Sequence, residues 1–434
     1  MKSASLMELL EYFIDILPTF MIIIVCTIYV IVVRISYTLG WHLAIVFFIK
    51  GDYKMKTMIK QIHSVIVDVP IKRAHQFSTE IVSTKSFVVI QVELENGLIG
   101  IGEGTTPGIW WNGESVETMQ LVIEQYLKPL LIGQDPRNIE QLLQLFDRHV
   151  RANPFAKATV EMALFDVVGK IYNAPVHQLL GGLFQDKIDV KWALATGDAD
   201  GDIAEAKELV DNKQYKDFKI KAGKFQPADD AKRAIKIAEG LRGISTIGID
   251  PNGSWDKLTA VRWMERLSDA GVDFLEQPLS PLDFEGAAKL VSMKKVPVMA
   301  DESVATIQDA QRLVQEKAAD IFSLKIHKSG GMRNTLKIAA IAESAGIACF
   351  GGTSLESSIG SAASVHAFGT IRNLEYGCET FGPPWLADDL VKNPLEFKEG
   401  KVIIPNGAGL GVELDEVKIE KYRRKKEEVT NGVF

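Results

Sequence analysis

The chain has 434 residues, of which 47% are hydrophobic and 24% are charged, and its formal net charge at pH 7 is −7. This size and composition predict a globular protein with room for more than one core. The acidic balance argues against a nucleic acid or an anionic surface as partner, because little positive charge is available to neutralise phosphates. The three cysteines, Cys26, Cys349 and Cys378, form no CxxC pair, and this sparse use is typical of a reducing compartment such as the cytoplasm.

The beginning of the chain, residues 1–57, is a hydrophobic extension that differs in composition from the rest of the chain. Residues 16–33 carry no charged side chain over a length that could just span a bilayer, and residues 35–49 form a second apolar stretch. Several lysines come next, so a membrane anchor here would leave the remaining chain facing the cytoplasm. The alternative is a mis-called start with translation from Met55 or Met58, because the pattern of a complete fold begins only there.

Residues 58–184 have the pattern of an α+β domain. Two runs of alternating apolar residues are joined through Asn96-Gly97, a pair that favours a tight hairpin turn. Helical periodicity then covers residues 114–150 and again residues 155–170. Strands followed by helices in one stretch indicate a small α+β domain at the amino-terminal side of the main domain.

Strand-like and helix-like segments alternate over residues 185–379, which predicts a (β/α) TIM-type barrel. The seven strand candidates are VKWALAT, DFKIK, TIGID, VDFLE, PVMAD, IFSLK and IACFG. A regular barrel closes with eight strands, and the poorly marked eighth is placed near residues 374–379. Residues 380–434 contain further strand-like pieces and are predicted to return to the α+β domain.

Charged residues end five successive barrel strands at intervals of about twenty-five positions: Lys221, Asp250, Glu276, Asp301 and Lys325. The carboxyl ends of barrel strands converge on one mouth, so we expect these side chains to meet there. Three carboxylates supply the oxygen ligands that a hard cation such as Mg²⁺ or Mn²⁺ prefers. The sequence therefore predicts a divalent-metal site between two lysines that face opposite sides of a metal-bound substrate.

This arrangement suits proton transfer at a carbon next to a carboxylate. Negative charge then builds on the carboxylate oxygens, and a unit charge pair at 4 Å is worth about 4 kcal/mol at an effective dielectric of 20. Lys219 shares a strand face with Lys221. Glu356 is predicted to be a hydrogen-bonding or charge-balancing partner at the mouth, or else an acid that complements a helix dipole. His327 is interpreted as non-catalytic and Glu302 as a supporting or structural residue.

These motifs together resemble the enolase superfamily, in its muconate lactonizing subgroup. The matching segments are FKIKAG, IDPNGSW, LEQP, ADES, LKIHKSGG and GGTSLESSIG. The resemblance implies that Lys221 and Lys325 flank the substrate while the three acids bind Mg²⁺ or Mn²⁺. It also implies that the amino-terminal domain caps the barrel mouth and that the protein is a homo-oligomer.

Within that subgroup, the capping-loop segment GIGEGTTPGIWWNGES and the segment CETFGP resemble muconate and chloromuconate cycloisomerases. The implied reaction is the reversible conversion of the dicarboxylate cis,cis-muconate to muconolactone. Trp110 and Trp111 of the loop, together with Asn252, are expected to contact the substrate, although both tryptophans could instead pack the loop. The alternatives are an o-succinylbenzoate synthase or N-acylamino-acid racemase of the same subgroup, and a non-catalytic, membrane-tethered binding protein.

Overall fold

The computed structural model describes residues 57–76 and 81–425. In these two ranges, no helix combines the length and the apolar composition needed to cross a bilayer. The candidate anchor at residues 16–49 lies outside the described residues.

The amino-terminal domain is built on a three-stranded antiparallel sheet in the order β1-β2-β3, with β1 Ile59–Gln76, β2 Ile81–Leu94 and β3 Ile99–Gly104. The hairpin predicted at Asn96-Gly97 joins β2 to β3, and Gly97 adopts a φ of 85° that a residue without Cβ takes at little cost. Helix Pro154–Tyr172 packs closely on β3, since a Cβ added at Gly102 would lie 2.2 Å from the carbonyl oxygen of Thr159.

The helical region predicted over residues 114–150 is divided in the structure. Its parts are Val116–Val122, a π-helical turn Ile123–Leu127, Lys128–Leu131 and Ile139–His149. A short helix Ile109–Asn112 precedes this region, and another, Val176–Leu179, follows the long helix Pro154–Tyr172. The main break follows Leu131, where Gly133 takes a φ of 78° and Pro136 has no N–H to donate. The apolar periodicity of the sequence thus continues across a turn at which the helix itself is interrupted.

Seven parallel strands form the main sheet in chain order: β5 Lys191–Leu194, β6 Asp217–Lys221, β7 Thr246–Asp250, β8 Phe274–Glu276, β9 Val298–Ala300, β10 Ile321–Leu324 and β11 Ala348–Gly351. Cys378 forms one parallel bridge with Gly351 and another with Val190, just before β5. The eighth position is thus occupied by a single bridging residue within the predicted segment 374–379. The barrel prediction is confirmed.

One helix follows each barrel strand: Ala199–Asp211, Pro227–Gly240, Lys257–Ala270, Phe284–Ser292, Ile307–Glu316, Met332–Ala345 and Ser358–Phe368. Several begin with a side-chain cap, as where Asp256 accepts from the N–H of Thr259. A cap satisfies a main-chain donor that the first helical turn leaves free. The cap therefore stabilises the first turn of the helix and defines the residue at which the preceding loop ends.

The chain after the barrel returns to the amino-terminal domain, as predicted. Val67 of β1 bridges to Arg423, and the Arg424 guanidinium lies 2.6 Å from the Asp68 carboxylate. The last elements are helices Gly382–Trp385 and Glu416–Tyr422 and strands β12 Phe397–Lys398 and β13 Lys401–Ile403. Strand β13 pairs with β4 Lys187–Asp189, ahead of the barrel, so part of this segment packs there and not on β1–β3.

The apolar core is continuous between the two domains. Phe87 and Ile101 of the antiparallel sheet belong to the same buried cluster as Phe218 of barrel strand β6. A second buried cluster, which includes Ile90 and Leu164, lies within the amino-terminal domain. This shared burial holds the amino-terminal domain against the barrel.

Candidate active site at the barrel mouth

The charged residues predicted from spacing all lie at strand carboxyl ends. Lys221, Asp250 and Glu276 are the last residues of β6, β7 and β8, while Asp301 and Lys325 directly follow β9 and β10. The three acids are buried, each with at most 1% of its surface exposed. Strands β6 and β10 lie on opposite sides of the closed barrel, so the two lysines face each other across the mouth.

A small cavity opens between these lysines. Its lining consists of Pro107, Trp110, Trp111, Lys221, Asn252, Lys325, Thr353, Ser354, Leu355 and Glu379. The structure thus places the three residues expected to contact substrate, Trp110, Trp111 and Asn252, in one cavity with both lysines. The amino-terminal domain contributes the tryptophans, and the barrel contributes the two lysines and Asn252.

Lys219 is buried beneath this mouth among three carboxylates. Its Nζ lies 2.8 Å from Glu276 Oε2, 2.5 Å from Glu379 Oε2 and 3.3 Å from Asp250 Oδ2. Burial lowers the pKa of Lys219, but these carboxylates outweigh it and raise the pKa well above its usual value. Lys221 Nζ donates to the same Asp250 oxygen at 2.6 Å, as expected for two lysines on one strand face.

Asp301 is held by two lysines. Lys325 Nζ donates to its Oδ2 at 2.6 Å, and Lys328 Nζ donates to its Oδ1 at 2.7 Å and to its carbonyl oxygen at 2.6 Å. Burial raises the pKa of Asp301, but the two ammonium groups outweigh it and hold the pKa below its usual range. Gln277 fixes the same segment, because its Oε1 accepts from the Asp301 N–H at 3.0 Å.

The donor set of Asp250, Glu276 and Asp301 suits a hard divalent cation. Glu276 Oε1 is buried with no hydrogen-bond partner. Burial raises the pKa of Glu276 to about 8. Lys219 opposes this shift, and the Asp250 and Asp301 carboxylates add to it, so a cation among the three acids would offset their mutual repulsion.

Across residues 57–76 and 81–425, no three His, Cys, Asp or Glu side chains are drawn together as a ready metal cluster. Each of the three acids is bonded to a lysine instead: Asp250 to Lys221, Glu276 to Lys219 and Asp301 to Lys325. The three acids stay predicted ligands, whose side chains would have to turn from these lysines toward a cation.

Glu356 lies beside the cavity and is paired with a histidine. Its Oε1 lies 3.4 Å from His327 Nδ1 and accepts from the Ser354 N–H at 2.9 Å, while its Oε2 accepts from the Thr353 hydroxyl. Burial raises the pKa of Glu356, but His327 outweighs it and lowers the pKa to about 2. On the other ring nitrogen, His327 Nε2 lies 2.8 Å from the Glu103 carbonyl oxygen. Glu356 and the Glu103 carbonyl oxygen thus flank the two ring nitrogens of His327.

Glu302 links the amino-terminal domain to the barrel. Its Oε1 accepts from Trp111 Nε1 at 3.3 Å and from Asn252 Nδ2 at 3.2 Å. The Trp111 ring in turn lies 5.1 Å from Lys325 Nζ, within the range of a cation–π contact. One carboxylate thus holds a cavity-lining tryptophan over a cavity-lining lysine.

Sequence reasoning missed three residues of this site. Glu379 directly follows Cys378, the bridging residue at the eighth barrel position. A clearer eighth strand in the sequence would have indicated Glu379 as a charged strand end, in the same way as Lys221. Lys328 lies in a turn after β10, where periodicity carries no signal. Gln277 directly follows Glu276 and takes a φ of 34°, a conformation that the sequence does not reveal.

A (β/α) barrel with an α+β cap and charged strand ends at its mouth defines an enolase-like protein. The sequence agrees: residues 202–418 match the family described as enolase C-terminal domain-like, and residues 61–181 match the mandelate racemase / muconate lactonizing enzyme N-terminal domain. The chain belongs to the mandelate racemase / muconate lactonizing enzyme family.

Curated relatives match along nearly their whole length. Muconate cycloisomerase 1 of Rhodococcus opacus is 41% identical over 367 residues, which is 84% of this chain and 98% of the relative. Chloromuconate cycloisomerase of Pseudomonas sp. (strain P51) is also 41% identical over 367 residues, 84% of this chain and 99% of the relative.

Solved structures give the same result. The muconate lactonizing enzyme of Pseudomonas fluorescens in complex with muconolactone superposes with a TM-score of 0.83 at 38% identity, covering 85% of this chain and 100% of that one. The 2-chloromuconate cycloisomerase of Rhodococcus opacus 1CP gives a TM-score of 0.83 at 41% identity, with the same coverage. The fold of a barrel with an amino-terminal cap is therefore shared with cycloisomerases of known structure.

Proposed function

We propose that this chain is a metal-dependent cycloisomerase that converts cis,cis-muconate to muconolactone and runs the reaction in reverse, as a step in the breakdown of aromatic compounds. In the forward direction one substrate carboxylate attacks a double bond and forms the ring C–O bond, and a proton is added to the carbon next to the other carboxylate. The substrate dianion thus takes up one proton and becomes the muconolactone monoanion, and the group that donates the proton must regain one from solvent before the next turnover. The named activity of relatives that share 41% of their residues with this chain supports the proposal.

The chemistry requires a cation and a proton carrier. A divalent cation, Mg²⁺ or Mn²⁺, supplies positive charge where negative charge develops on the substrate carboxylate. Asp250, Glu276 and Asp301 would hold it. Lys221, at the end of β6, delivers the proton in the forward direction and removes it in reverse.

Lys325 faces Lys221 across the cavity and stabilises the charge that develops on the substrate. Lys219 and Glu356 support these groups from below and beside the cavity. Trp110, Trp111 and Asn252 line the part of the cavity that receives the small dicarboxylate. Whether the preferred substrate carries chlorine depends on this lining and not on the groups that carry out the reaction.

The proposed domain bounds are 58–184 for the cap, 185–379 for the barrel and 380–434 for the returning segment, with residues 1–57 as an extension. In this proposal the site faces the cytoplasm, whether or not residues 16–49 anchor the chain in a membrane, and the chain forms a homo-oligomer.

The observation that carries the proposal is the placement of Lys221 and Lys325 on opposite sides of one cavity, with three buried acids at the strand ends near it. The test is an assay of the purified full-length chain with Mn²⁺, following the ultraviolet absorbance of cis,cis-muconate and of its chlorinated forms. We expect muconate to be consumed, and consumption to stop when the cation is chelated.

The same preparation is assayed for o-succinylbenzoate formation and for racemisation of N-acylamino acids, since those reactions use the same lysines and metal. Activity there without muconate turnover would replace the proposed substrate but keep the site. Lack of every activity, with cation binding retained, would favour the non-catalytic binding protein.

A further inference from the structure

Lys221, the proposed proton carrier, is the last residue of β6 and extends one residue beyond the end of the neighbouring strand β5. Strand β5 ends at Leu194, which pairs with Ile220, so the ladder between β5 and β6 stops one residue before Lys221. Main-chain groups alternate along a strand, and the Ala222 N–H already bonds the Asp250 carbonyl oxygen on the β7 side at 2.9 Å. The Lys221 carbonyl therefore faces the side where β5 has ended.

Arg233 supplies the missing partner. It lies on helix Pro227–Gly240, and its guanidinium donates to the Lys221 carbonyl oxygen through one nitrogen and to Asp202 Oδ2, at 2.7 Å, through another. The Arg233 side chain is 9% exposed and that of Asp202 is fully buried. A guanidinium presents several donors in a fixed plane, so one side chain can hold both groups in defined directions.

Asp202 completes the connection to β5. Its Oδ1 accepts from the Thr196 N–H at 3.0 Å and from the Thr196 hydroxyl at 2.7 Å, just beyond the end of β5. On the same helix, three residues before Arg233, Asp230 accepts from the Gly223 N–H at 2.7 Å. Two positions on one helix face thus hold the main chain where β6 ends, at Lys221 and at Gly223.

We propose that Arg233 is a positioning residue for proton transfer. It donates to the Lys221 carbonyl oxygen the hydrogen bond that a longer β5 would supply, and so fixes the Lys221 main chain and the direction of the Lys221 ammonium. Arg233 does not line the cavity, so it acts through Lys221 and not on the substrate. This inference rests on the proposed function, in which Lys221 carries the proton. A displacement of about 1 Å in a reacting group costs about a hundredfold in rate.

The test separates position from stability. Arg233→Met leaves the Asp202 carboxylate buried without its cation, so we expect both the melting temperature and kcat to fall, kcat by about a hundredfold. In the double variant Asp202→Asn/Arg233→Met, the amide oxygen retains the Thr196 bonds and no buried charge is left unpaired. We expect the melting temperature to recover toward wild type, kcat to stay about a hundredfold low, and KM to change less than about twofold.

Lys236→Met is the matched control, because Lys236 lies on the same helix and pairs with Asp200 at the exposed surface. It should change neither the melting temperature nor kcat. If kcat of the double variant recovers together with the melting temperature, Arg233 is only structural and the inference is overturned.

A crystal structure of the double variant tests the position of Lys221 directly, without any assay that depends on the substrate. The Lys221 Nζ to Asp250 Oδ2 distance, 2.6 Å in the intact chain, should lengthen, and an unchanged distance would also overturn the inference. If the wild-type chain does not consume muconate, the proposed function fails, while this distance still decides the role of Arg233.

Discussion

Glu379 accepts a 2.5 Å hydrogen bond from the Lys219 ammonium beneath the cavity. The other carboxylates near that ammonium, Glu276 and Asp250, are proposed metal ligands. A cation bound to those two acids competes with Lys219 for them. Glu379 is then the carboxylate that can keep the Lys219 charge paired, which would make it a supporting residue of the proposed metal site without being a ligand.

We therefore predict that Glu379→Gln weakens cation binding. Without the Glu379 charge, the ammonium of Lys219 depends on Glu276 and Asp250, and the cation must displace it at greater cost. Loss of such an outer partner typically lowers metal affinity about 10- to 100-fold. Titration calorimetry with Mn²⁺ measures the change, and the exposed Glu375→Gln serves as control. Equal affinity in Glu379→Gln and wild type would remove Glu379 from the site.

A second prediction concerns Lys221. In Lys221→Ala we expect turnover of muconate to fall by about a thousandfold or more, because the group that transfers the proton is gone. Cation affinity should not fall, since the three proposed ligands are unchanged and Asp250 loses a lysine that competes with the cation. The matched control is Lys224→Ala, an exposed lysine three residues further along the chain, which should keep full turnover. A Lys221→Ala enzyme with more than about a thousandth of wild-type activity would not use this lysine as its proton carrier.

The strand-end residues could be predicted from sequence because a barrel repeats. Each strand ends about twenty-five residues after the last, and that period alone brings Asp250, Glu276 and Asp301 to one mouth. The residues that contact these strand ends do not recur at a regular spacing in the sequence. Arg233 meets Lys221 because β5 is one residue short, and Glu161 meets Arg333 across 172 positions, so both contacts depend on packing that only the folded chain defines.

Glu161 illustrates such a contact, since it caps a helix from another domain. Helix Met332–Ala345 has no side-chain cap of its own, and Glu161 accepts from the Arg333 N–H at 3.1 Å and from the Met332 N–H. Burial raises the pKa of Glu161 to about 8, although both main-chain bonds oppose the shift. The cap is therefore protonated in the folded chain over a pH range in which the unfolded chain is ionised.

A pH dependence of stability follows from this shift. A carboxyl group whose pKa is near 4.5 when unfolded and about 8 when folded gives stability that is fully present below pH 4.5 and is lost as the pH rises to 8. The loss is on the order of 5 kcal/mol. In Glu161→Gln we expect this part of the slope to disappear when the free energy of unfolding is measured by urea denaturation from about pH 5 to about pH 9.

Glu140→Gln is the control, because Glu140 pairs with the same Arg333 at the partly exposed surface and its pKa is lowered, not raised. It should leave in place the fall in unfolding free energy between about pH 5 and about pH 8. A Glu161→Gln chain with the same slope as wild type would show that Glu161 does not take up a proton on folding.

The last prediction separates substrate contact from loop packing at Trp111. Its Nε1 donates to Glu302 at 3.3 Å, while its ring packs edge-on against Phe155 at 5.9 Å. Trp111→Phe keeps an aromatic ring but removes the donor, so loss of about 1 kcal/mol of hydrogen bonding should raise KM for muconate about fivefold and change kcat less. Steady-state kinetics measure both values, and cation affinity should be unchanged.

If Trp111 and Glu302 act as one unit, the KM effects of Trp111→Phe and Glu302→Gln will not add in the double variant. A tryptophan that only packs the loop gives a different result: the melting temperature falls and KM stays constant. That outcome would leave substrate recognition to the other cavity residues, Trp110 and Asn252 first among them.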